Sequence, residues 1–403
     1  MSSLSRRAFL KRLAFATDTA HGVKEPHTLV CVFLRGGADT LNMVIPYAND
    51  AYYKVRPTLA IAKPGSEGRK ASLKLNDFYA FHPVMSSLLP FFHDGELVVV
   101  QGVGSDNTSG SHFEAQDQVE HGEAFGKKLG GGWLGRHLRT RQGGMTPLSA
   151  VAIGKSLPEV LRGAPSASAL TSVEEVKLTL PRGKSDSVTE ALSKLYSTDI
   201  DVLGHAGKVT IDLLSKIEKV KRVSPRNAGN VTYPETTFGN ALREVSKLIK
   251  ADVGLEVACV DHDGWDTHFF QGAADGQQAS NIEDLSNGLS ALYKDIQRYK
   301  ERVSIVVLTE FGRRIYENSS MGTDHGRGFA LFALGGRVNG GRVFGSLPEL
   351  KEQTNIFLGP SGLAVELDYR SVLSEVVRDL LGNNDIAGVF PNFKPQKIGI
   401  FHT

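Results

Sequence analysis

The sequence predicts an α/β protein in which a mainly parallel sheet lies between two helical layers, a three-layer αβα sandwich. One observation is a set of short, β-branched runs that are apolar throughout, a pattern typical of strands covered on both faces. Another is that helical patterns separate these runs, as expected for a parallel sheet with helices on its faces. The runs are Thr28–Leu34, Leu97–Val103, Leu148–Ile153, Leu255–Val260, Ser304–Thr309 and Phe329–Leu334.

The helical patterns place apolar residues three and four positions apart. Leu285, Leu289 and Leu292 belong to one such series, and another runs from Val372 to Leu380 and ends before Gly382. Residues 186–250 are helical in pattern and charged, without a convincing strand. We interpret this span as a helical insertion or outer layer within one domain that covers residues 26–403.

Composition excludes several classes of protein. With 403 residues, 41% of them hydrophobic, the chain is able to bury a large core. Its 46 basic and 44 acidic residues leave a formal charge of +2, too little to gather nucleic acid, so no nucleic-acid partner is expected. Cys31 and Cys259 each lie inside an apolar run, which predicts neither a disulfide framework nor a thiolate metal site.

Residues 1–25 carry a targeting pattern. The stretch from Ser5 to Lys11, SRRAFLK, matches the twin-arginine export signal, which sends folded proteins across the bacterial inner membrane. Polar residues soon follow, including Thr17 and Asp18, where an apolar region should continue. Two interpretations stay open: export to the periplasm through the twin-arginine machinery, or a vestigial signal on a cytoplasmic protein. No other stretch approaches the ~18 apolar residues of a transmembrane span.

Polar side chains follow the first two predicted strands. In an open parallel sheet, ligands collect beyond the carboxyl ends of the strands. The first strand is followed by a glycine turn that presents Arg35, Asp39 and Thr40. The second is followed by Ser111 and His112 at the start of a predicted helix. Free N–H groups and the helix dipole make such a start favourable for an anionic ester.

Later strands deliver acidic and imidazole side chains. Asp266 and His268 are two residues apart, so on an extended segment they point to the same side, as two ligands of one metal should. The next strand is followed by Glu310 and Arg313, and Asp324-His325 precedes the last strand. Imidazole and carboxylate without thiolate suit a divalent metal: zinc, manganese, magnesium or calcium.

Structural interpretations of the same residues remain open. Ser111 is equally well explained as the N-cap of the following helix, and Arg35 or Arg313 as a partner of a structural carboxylate. His262 is interpretable as an exposed residue without a role. The functional interpretation depends on recurrence, because acidic residues and histidines lie beside successive strands instead of along helix faces.

Six motifs together resemble the bacterial family of proteins of unknown function named DUF1501. The resemblance runs in order from about residue 26 to the C-terminus. It depends on the motifs LRGGAD (34–39), SHF (111–113), GWLGR (132–136), GWDTH (264–268), TEFGR (309–313) and GTDHG (322–326). That family is grouped with the alkaline phosphatase and sulfatase superfamily. The resemblance implies an alkaline phosphatase-like αβα fold, metal-dependent hydrolysis of phosphate or sulfate esters, and a twin-arginine signal in many members.

The resemblance also implies roles for individual residues. It makes Ser111, or Thr40, the nucleophile. If the protein is a hydrolase, we expect Arg35, His112 and Arg313 to hold the substrate. The implied metal ligands are Asp39, Asp266, His268, Glu310, Asp324 and His325. One departure is that the superfamily usually has Asp-His where this chain has Glu310-Phe311, so one imidazole ligand is missing or is supplied by His112 or by Asp324-His325.

Three hypotheses follow for function. The first is a metal-dependent hydrolase that acts on an anionic small-molecule or polymeric ester. The second is a non-catalytic, exported metal- or anion-binding protein of the same fold. The third is a structural hydrogen-bond network without metal. The placement of these residues at strand ends predicts that Asp39, Ser111, Asp266, His268, Glu310 and His325 meet in one pocket at the carboxyl edge of the sheet. It also predicts that His21, His93 and His402 lie away from that pocket.

Overall fold

A computed structural model describes residues 26–67, 70–141, 144–176, 194, 202–222, 231–351 and 362–402. The twin-arginine segment and His21 lie outside the described residues. The described chain forms a large central sheet with helices on both faces and one small separate sheet. Within the described ranges, no helix combines the length and the apolar character needed to cross a membrane.

The central sheet has nine strands and the small sheet three. In chain order the strands are β1 (Thr28–Leu34), β2 (Val44–Ile45), β3 (Leu73–Lys74), β4 (Ala80–Phe81), β5 (Leu97–Gly104), β6 (Ala150–Ile153), β7 (Ser168–Leu170), β8 (Val257–His262), β9 (Val303–Thr309), β10 (Phe329–Gly335), β11 (Arg342–Phe344) and β12 (Leu367–Asp368). The central sheet follows the spatial order β11-β5-β10-β9-β1-β8-β6-β7, with β12 beside β5. Its pairings are parallel except those of β10, which opposes both β5 and β9.

The α-helices alternate with these strands. They are α1 (Asp50–Val55), α2 (Leu89–His93), α3 (His112–His121), α4 (Trp133–Thr140), α5 (Val202–Lys221), α6 (Thr237–Ala251), α7 (Gln277–Asp295), α8 (Tyr369–Glu375) and α9 (Ile386–Val389). A π-helical turn, Val376–Leu380, continues α8. Gly382 follows with φ of 67°, so the predicted stop lies where a glycine ends the helix.

Strand β1 shows why the fold has three layers. All seven of its residues are buried, and alternate side chains point to opposite faces of a strand. Val30 and Val32 belong to the core that contains α6 and α7, whereas Leu29 and Cys31 belong to the core that contains α4 and α8. The predicted α/β sandwich with a mainly parallel sheet is confirmed, and each of the six predicted runs forms a strand.

The span 186–250 is described only in part, since residues 177–193, 195–201 and 223–230 lie outside the described residues. Helix α6 packs on α7 and β8 and buries Leu242, Val245 and Leu248. Because these residues belong to the main core, α6 is part of one helical layer of the sandwich. The division into residues 1–25 and 26–403 stays a prediction.

The strand directions bring four loops to one edge of the sheet. Leu34, at the end of β1, pairs with Thr309 at the end of β9 and with His262 at the end of β8. Phe329, the first residue of the opposed strand β10, pairs with Val103 near the end of β5. Four loops therefore meet at this edge. They are the loop after β1, the loop after β8, the loop that joins β9 to β10, and the loop from β5 to α3.

Candidate metal centre

The turn after β1 allows the loops to approach closely. Gly36 and Gly37 have φ values of 118° and 67°, a region that other residues rarely adopt. A Cβ at Gly36 would lie 2.6 Å from the backbone nitrogen of Asp266, and a Cβ at Gly37 would overlap the ring of Phe311. The glycines therefore let the loop that carries Asp266 pack directly against β1.

One oxygen of Asp266 lies at the centre of the cluster. Its Oδ1 is 3.4 Å from Nε2 of His112, 3.1 Å from Nε2 of His268 and 3.3 Å from Nε2 of His325. The Nε2 atoms of His268 and His325 are 2.9 Å apart. Single ligand atoms of His112, Asp266 and His325 lie within 4.8 Å of one another, an arrangement able to hold a metal ion.

The opposite nitrogen of each histidine is held by an acceptor. His112 Nδ1 lies 2.8 Å from Glu310 Oε1, and His268 Nδ1 lies 2.9 Å from Asp324 Oδ1. His325 Nδ1 lies 2.7 Å from the carbonyl oxygen of Gly110. Metal-binding histidines typically show such contacts, because the acceptor fixes the ring and its tautomer.

The acceptors determine which nitrogen carries the proton. Burial alone would raise the pKa of Glu310, but hydrogen bonds from His112, Gln116 and the backbone of Gly36 lower it. Burial opposes the ionisation of Asp324 as well, and hydrogen bonds from Asn318 and His268 lower its pKa. The carboxylates of Glu310 and Asp324 and the carbonyl of Gly110 accept, so each histidine donates from Nδ1 and directs its Nε2 towards the cluster. The hydrogen bond to Glu310 raises the pKa of His112, although burial opposes it.

The three Nε2 atoms therefore converge on Oδ1 of Asp266. His112 Nε2 is buried and has no hydrogen-bond partner among the described residues. The Nε2 atoms of His268 and His325 are 2.9 Å apart, a contact that needs a proton or a cation between the two nitrogens. Burial lowers the pKa of His325, which disfavours a second proton on that ring and leaves its Nε2 able to accept a hydrogen bond or to bind a metal ion.

Arg313 fixes the loops around the cluster. Its side chain is fully buried and donates to the carbonyl oxygens of Gly37 at 2.6 Å and Thr323 at 2.8 Å, and to Asp266 Oδ1 at 2.5 Å. Burial would raise the pKa of Asp266, but the hydrogen bond and charge of Arg313 lower it to about 2. Asp266 is therefore ionised at neutral pH, while its side chain remains 48% exposed.

Comparison with known families identifies the chain. Residues 26–356 match the model of the family described as "Protein of unknown function (DUF1501)". The chain belongs to the DUF1501 family. The membership that the motifs predicted is therefore confirmed, and a search of curated proteins finds no match.

Several solved structures resemble this DUF1501 chain distantly. The C-terminal periplasmic domain of EptC from Escherichia coli, in complex with Zn, is 11% identical, with 93% of this chain and 88% of that chain covered and a TM-score of 0.37. The sulfatase PsFucS1 from Pseudoalteromonas sp. is 14% identical, with 93% and 70% covered and a TM-score of 0.32. The alkaline phosphatase of the Antarctic bacterium TAB5 is 11% identical, with 77% and 92% covered and a TM-score of 0.23. At these scores the likenesses do not bear on activity, which the site residues alone must support.

The structure brings six of the predicted site residues into the cluster. Asp266, His268 and His325 contribute atoms to its centre. Glu310 and Asp324 were predicted as metal ligands. In the structure, Glu310 accepts a hydrogen bond from Nδ1 of His112 and Asp324 accepts one from Nδ1 of His268, so both carboxylates lie behind the histidines. His112 was predicted to hold substrate or to supply the missing imidazole, and its Nε2 lies with the ligand atoms.

Asp39 lies in different surroundings from those predicted. It is 1% exposed, its two oxygens accept from Arg56 at 2.6 and 2.9 Å, and Oδ2 also accepts from Gln271 at 2.7 Å. A carboxylate whose hydrogen bonds are satisfied in this way is a poor metal ligand. We therefore leave Asp39 out of the ligand set proposed below.

The two predicted nucleophiles differ in accessibility. Thr40 is 4% exposed, and its hydroxyl accepts a hydrogen bond from the backbone of Ala330 at 2.8 Å. Ser111 precedes α3 with extended backbone angles, but its side chain makes no capping hydrogen bond. Among the described residues its hydroxyl has no partner, so the interpretation of Ser111 as a simple side-chain cap is not supported.

Both arginines predicted to hold an anion are already engaged. Arg35 pairs with Glu120 at 2.9 Å and with Asp261 at 3.0 Å, and its guanidinium lies 4.1 Å from the ring centroid of Phe33. Arg313 is committed to backbone carbonyls and Asp266 as described above. The structure therefore gives both side chains the structural role that was the alternative interpretation.

Three polar residues near the cluster were not predicted. Gln116 donates to Glu310 at 3.0 Å, and its spacing of four residues from His112 on a helix was a usable signal. Arg56 and Gln271 surround Asp39. No local pattern marks them, since Arg56 also donates to a backbone carbonyl 259 residues away. Within the described ranges, the hydrogen bonds and ion pairs of the cluster involve neither His93 nor His402.

Proposed function

We propose that this protein is a metal-dependent hydrolase of phosphate or sulfate esters, with a divalent ion held by His112, Asp266, His268 and His325. The observation that carries the proposal is the convergence of three imidazole Nε2 atoms, from His112, His268 and His325, on one oxygen of Asp266. Three imidazoles and a carboxylate favour zinc or manganese over magnesium and calcium, which prefer oxygen ligands.

Ser111 is the proposed nucleophile. When bound, the ion would stabilise negative charge on the ester and favour deprotonation of the attacking oxygen. Ser111 Oγ forms a bond to the phosphorus or sulfur atom and loses its proton to solvent, while the ester oxygen departs and takes up a proton as the free alcohol. Water then cleaves the serine ester and restores the hydroxyl. The N-terminal N–H groups of α3 favour the anionic group beside Ser111.

Arg327 is the proposed partner of the substrate anion. It lies two residues after His325 and is partly buried. Its Nε is buried without a hydrogen-bond partner, and no described residue forms an ion pair with its guanidinium. A guanidinium binds phosphate or sulfate through paired N–H donors, a role that the engaged Arg35 and Arg313 are not free to fill.

Metal content and turnover test the proposal in sequence. We expect about one equivalent of zinc or manganese in purified protein, and hydrolysis of at least one of an aryl phosphate, a bis-aryl phosphate and an aryl sulfate. Ser111→Ala should abolish turnover while metal content stays unchanged, and Ser280→Ala on helix α7 serves as the matched control. A correctly folded protein that takes up none of the metals would contradict the proposal.

A non-catalytic metal-binding protein is the second candidate. The observation that favours it is that Arg35 and Arg313 are both engaged within the protein. It predicts that metal binds as above, that no ester is turned over, and that Ser111→Ala and Arg327→Gln change neither metal content nor anion affinity.

We also propose export through the twin-arginine route, on the SRRAFLK pattern. Replacement of Arg6 and Arg7 by lysine should keep an epitope-tagged full-length protein in the cytoplasm, whereas replacement of Lys11 by arginine should not. Cell fractionation measures how much of each protein remains in the cytoplasm. Equal cytoplasmic retention of the wild type, the Arg6/Arg7 variant and the Lys11 variant would support a vestigial signal.

A further inference from the structure

Large exposed hydrophobic side chains concentrate in the segments that supply the candidate metal centre. Among the described residues, the three most exposed are Phe113 at 88%, Phe270 at 69% and Phe269 at 67%, and Met321 is 47% exposed. Scattered exposed apolar residues are ordinary on protein surfaces, but clustered ones mark binding surfaces. We call Phe113, Phe269, Phe270 and Met321 the apolar rim.

Each segment that supplies a histidine to the cluster also supplies part of the apolar rim. Phe113 follows His112 directly, Phe269 and Phe270 follow His268, and Met321 precedes His325 by four residues. The ring centroids of His268 and Phe269 are 6.4 Å apart. Each residue of the apolar rim thus lies within four residues of a proposed ligand in the chain.

Backbone pairing holds two of these segments together. Phe270 donates its N–H to the carbonyl of Ser320 at 3.0 Å, and Gln271 donates to the carbonyl of Met321 at 2.9 Å. Phe270 and Met321 have φ values of 45° and 56°. Bulky residues rarely adopt positive φ, and strain of this kind concentrates at functional sites.

The charge of these segments restricts what the rim binds. Residues 111–117, 265–271 and 318–325 contain no lysine or arginine, and Arg327, the proposed partner of the anionic head, lies just beyond the last of them. An anionic polymer or an anionic membrane surface is recognised by basic side chains, which these segments do not offer. An uncharged apolar group needs only the exposed hydrophobic surface that they do offer.

We propose that the apolar rim binds the alcohol portion of the substrate, so that the preferred esters are those of apolar alkyl or aryl alcohols. The inference rests on the proposed function, because the rim binds part of a substrate only if the protein hydrolyses esters. The anionic head occupies the centre, and the hydrocarbon packs on the rim. The rim thereby determines specificity among esters that share the same head group.

Binding of non-hydrolysable phosphonates tests the rim without turnover. Zinc-loaded, full-length protein is titrated calorimetrically with methyl-, butyl-, hexyl- and octylphosphonate, and with the corresponding sulfonates. Affinity should rise about two- to four-fold per methylene over the first few carbons, the range expected for partial to full burial of a methylene. Phe113→Ser and Phe269→Ser should flatten this rise while the affinity for inorganic phosphate and inorganic sulfate stays unchanged.

Control variants and alternative outcomes are distinguishable. Phe78, which is 37% exposed and follows none of the proposed ligands, gives the control Phe78→Ser, which should keep the full rise. A rise with chain length but no hydrolysis of any ester would overturn the proposed function and leave the rim in place. A flat chain-length series, no binding of any ligand, or an undiminished rise in both rim variants would overturn the rim proposal. So would a flat series combined with rim-dependent sedimentation on neutral phosphatidylcholine vesicles, which would assign the rim to a membrane surface.

Discussion

Two aspartate–arginine pairs near the carboxyl edge of the sheet differ in what surrounds the carboxylate. Asp39 pairs with Arg56 at 2.6 Å, and Asp266 pairs with Arg313 at 2.5 Å. Both arginine side chains are fully buried, but Asp39 is 1% exposed and Asp266 is 48% exposed. The sequence suggests metal binding for both aspartates, and the structure gives them different partners.

The partners explain the difference. Around Asp39 every contact is a donor: Arg56 bonds to both oxygens and Gln271 bonds to one. Around Asp266 Oδ1, Arg313 is the donor, and three imidazole Nε2 atoms lie within 3.4 Å. A satisfied buried carboxylate stabilises the fold, whereas an excess of acceptors at one point provides a site for a cation.

The largest expected contrast is in stability. Asp39→Asn should lower the free energy of unfolding of metal-free protein by about 3–5 kcal/mol, because it leaves the charge of Arg56 buried and uncompensated. Asp266→Asn should cost less, because the Asp266 carboxylate is half-exposed and solvent screens its interaction with Arg313. Urea unfolding measures both values. Equal costs would contradict the distinction between the two pairs.

The second contrast reverses the order and concerns metal affinity. His325→Ala should weaken zinc binding by more than about 100-fold, the upper end of the range for loss of a group that only supports a ligand. Asp39→Asn, measured at a temperature where it remains folded, should leave the affinity within a few-fold. Competition with a chromogenic chelator measures these constants, with His93→Ala as the control. A large loss in Asp39→Asn alone would restore Asp39 as the ligand.

A third prediction separates ligands from the carboxylates behind them. Glu310→Gln and Asp324→Asn should each weaken zinc affinity by about 10–100-fold, because the charged acceptor of a histidine Nδ1–H is lost while the ligand atoms remain. Asp263→Asn, a change at an exposed position in the loop after β8, should have no effect. Complete loss of metal in Glu310→Gln would instead support the ligand role that the family resemblance implies.

The sequence predicts the fold well because its signals are local. Six apolar runs such as Thr28–Leu34 become strands with nearly the same bounds, since burial on both faces requires apolar residues at every position. The two-residue spacing of Asp266 and His268 also places both at the centre of the cluster. These features depend on residues close together in the chain.

The roles of the remaining residues depend on contacts distant in sequence. Asp39 and Asp266 look alike in sequence, and only the side chains that pack on them, such as Arg56 and the three histidines, distinguish a structural ion pair from a candidate ligand. Arg313 donates to the carbonyl oxygen of Gly37, which is 276 residues away in the chain. The residues next to Arg313 in the sequence therefore do not reveal its structural role. Fold is therefore predictable here from pattern, whereas the assignment of ligands requires geometry.

The smallest expected effect concerns acid stability and completes the comparison. Although burial opposes it, the hydrogen bond and charge of Arg313 lower the pKa of Asp266 from 3.8 to about 2. A carboxylate whose folded-state pKa lies below its unfolded value stabilises the protein above the unfolded value and loses that contribution as pH falls towards the folded value. In chelator-treated protein, the difference in free energy of unfolding between the wild type and Asp266→Asn should therefore shrink between pH 5 and pH 3. The change should stay below about 1 kcal/mol because solvent screens the half-exposed carboxylate.

With zinc bound, the loss of stability should begin at higher pH, since protons compete with the metal for the histidines. A difference that grows as pH falls would show that the ion pair with Arg313 does not hold Asp266 in its charged form.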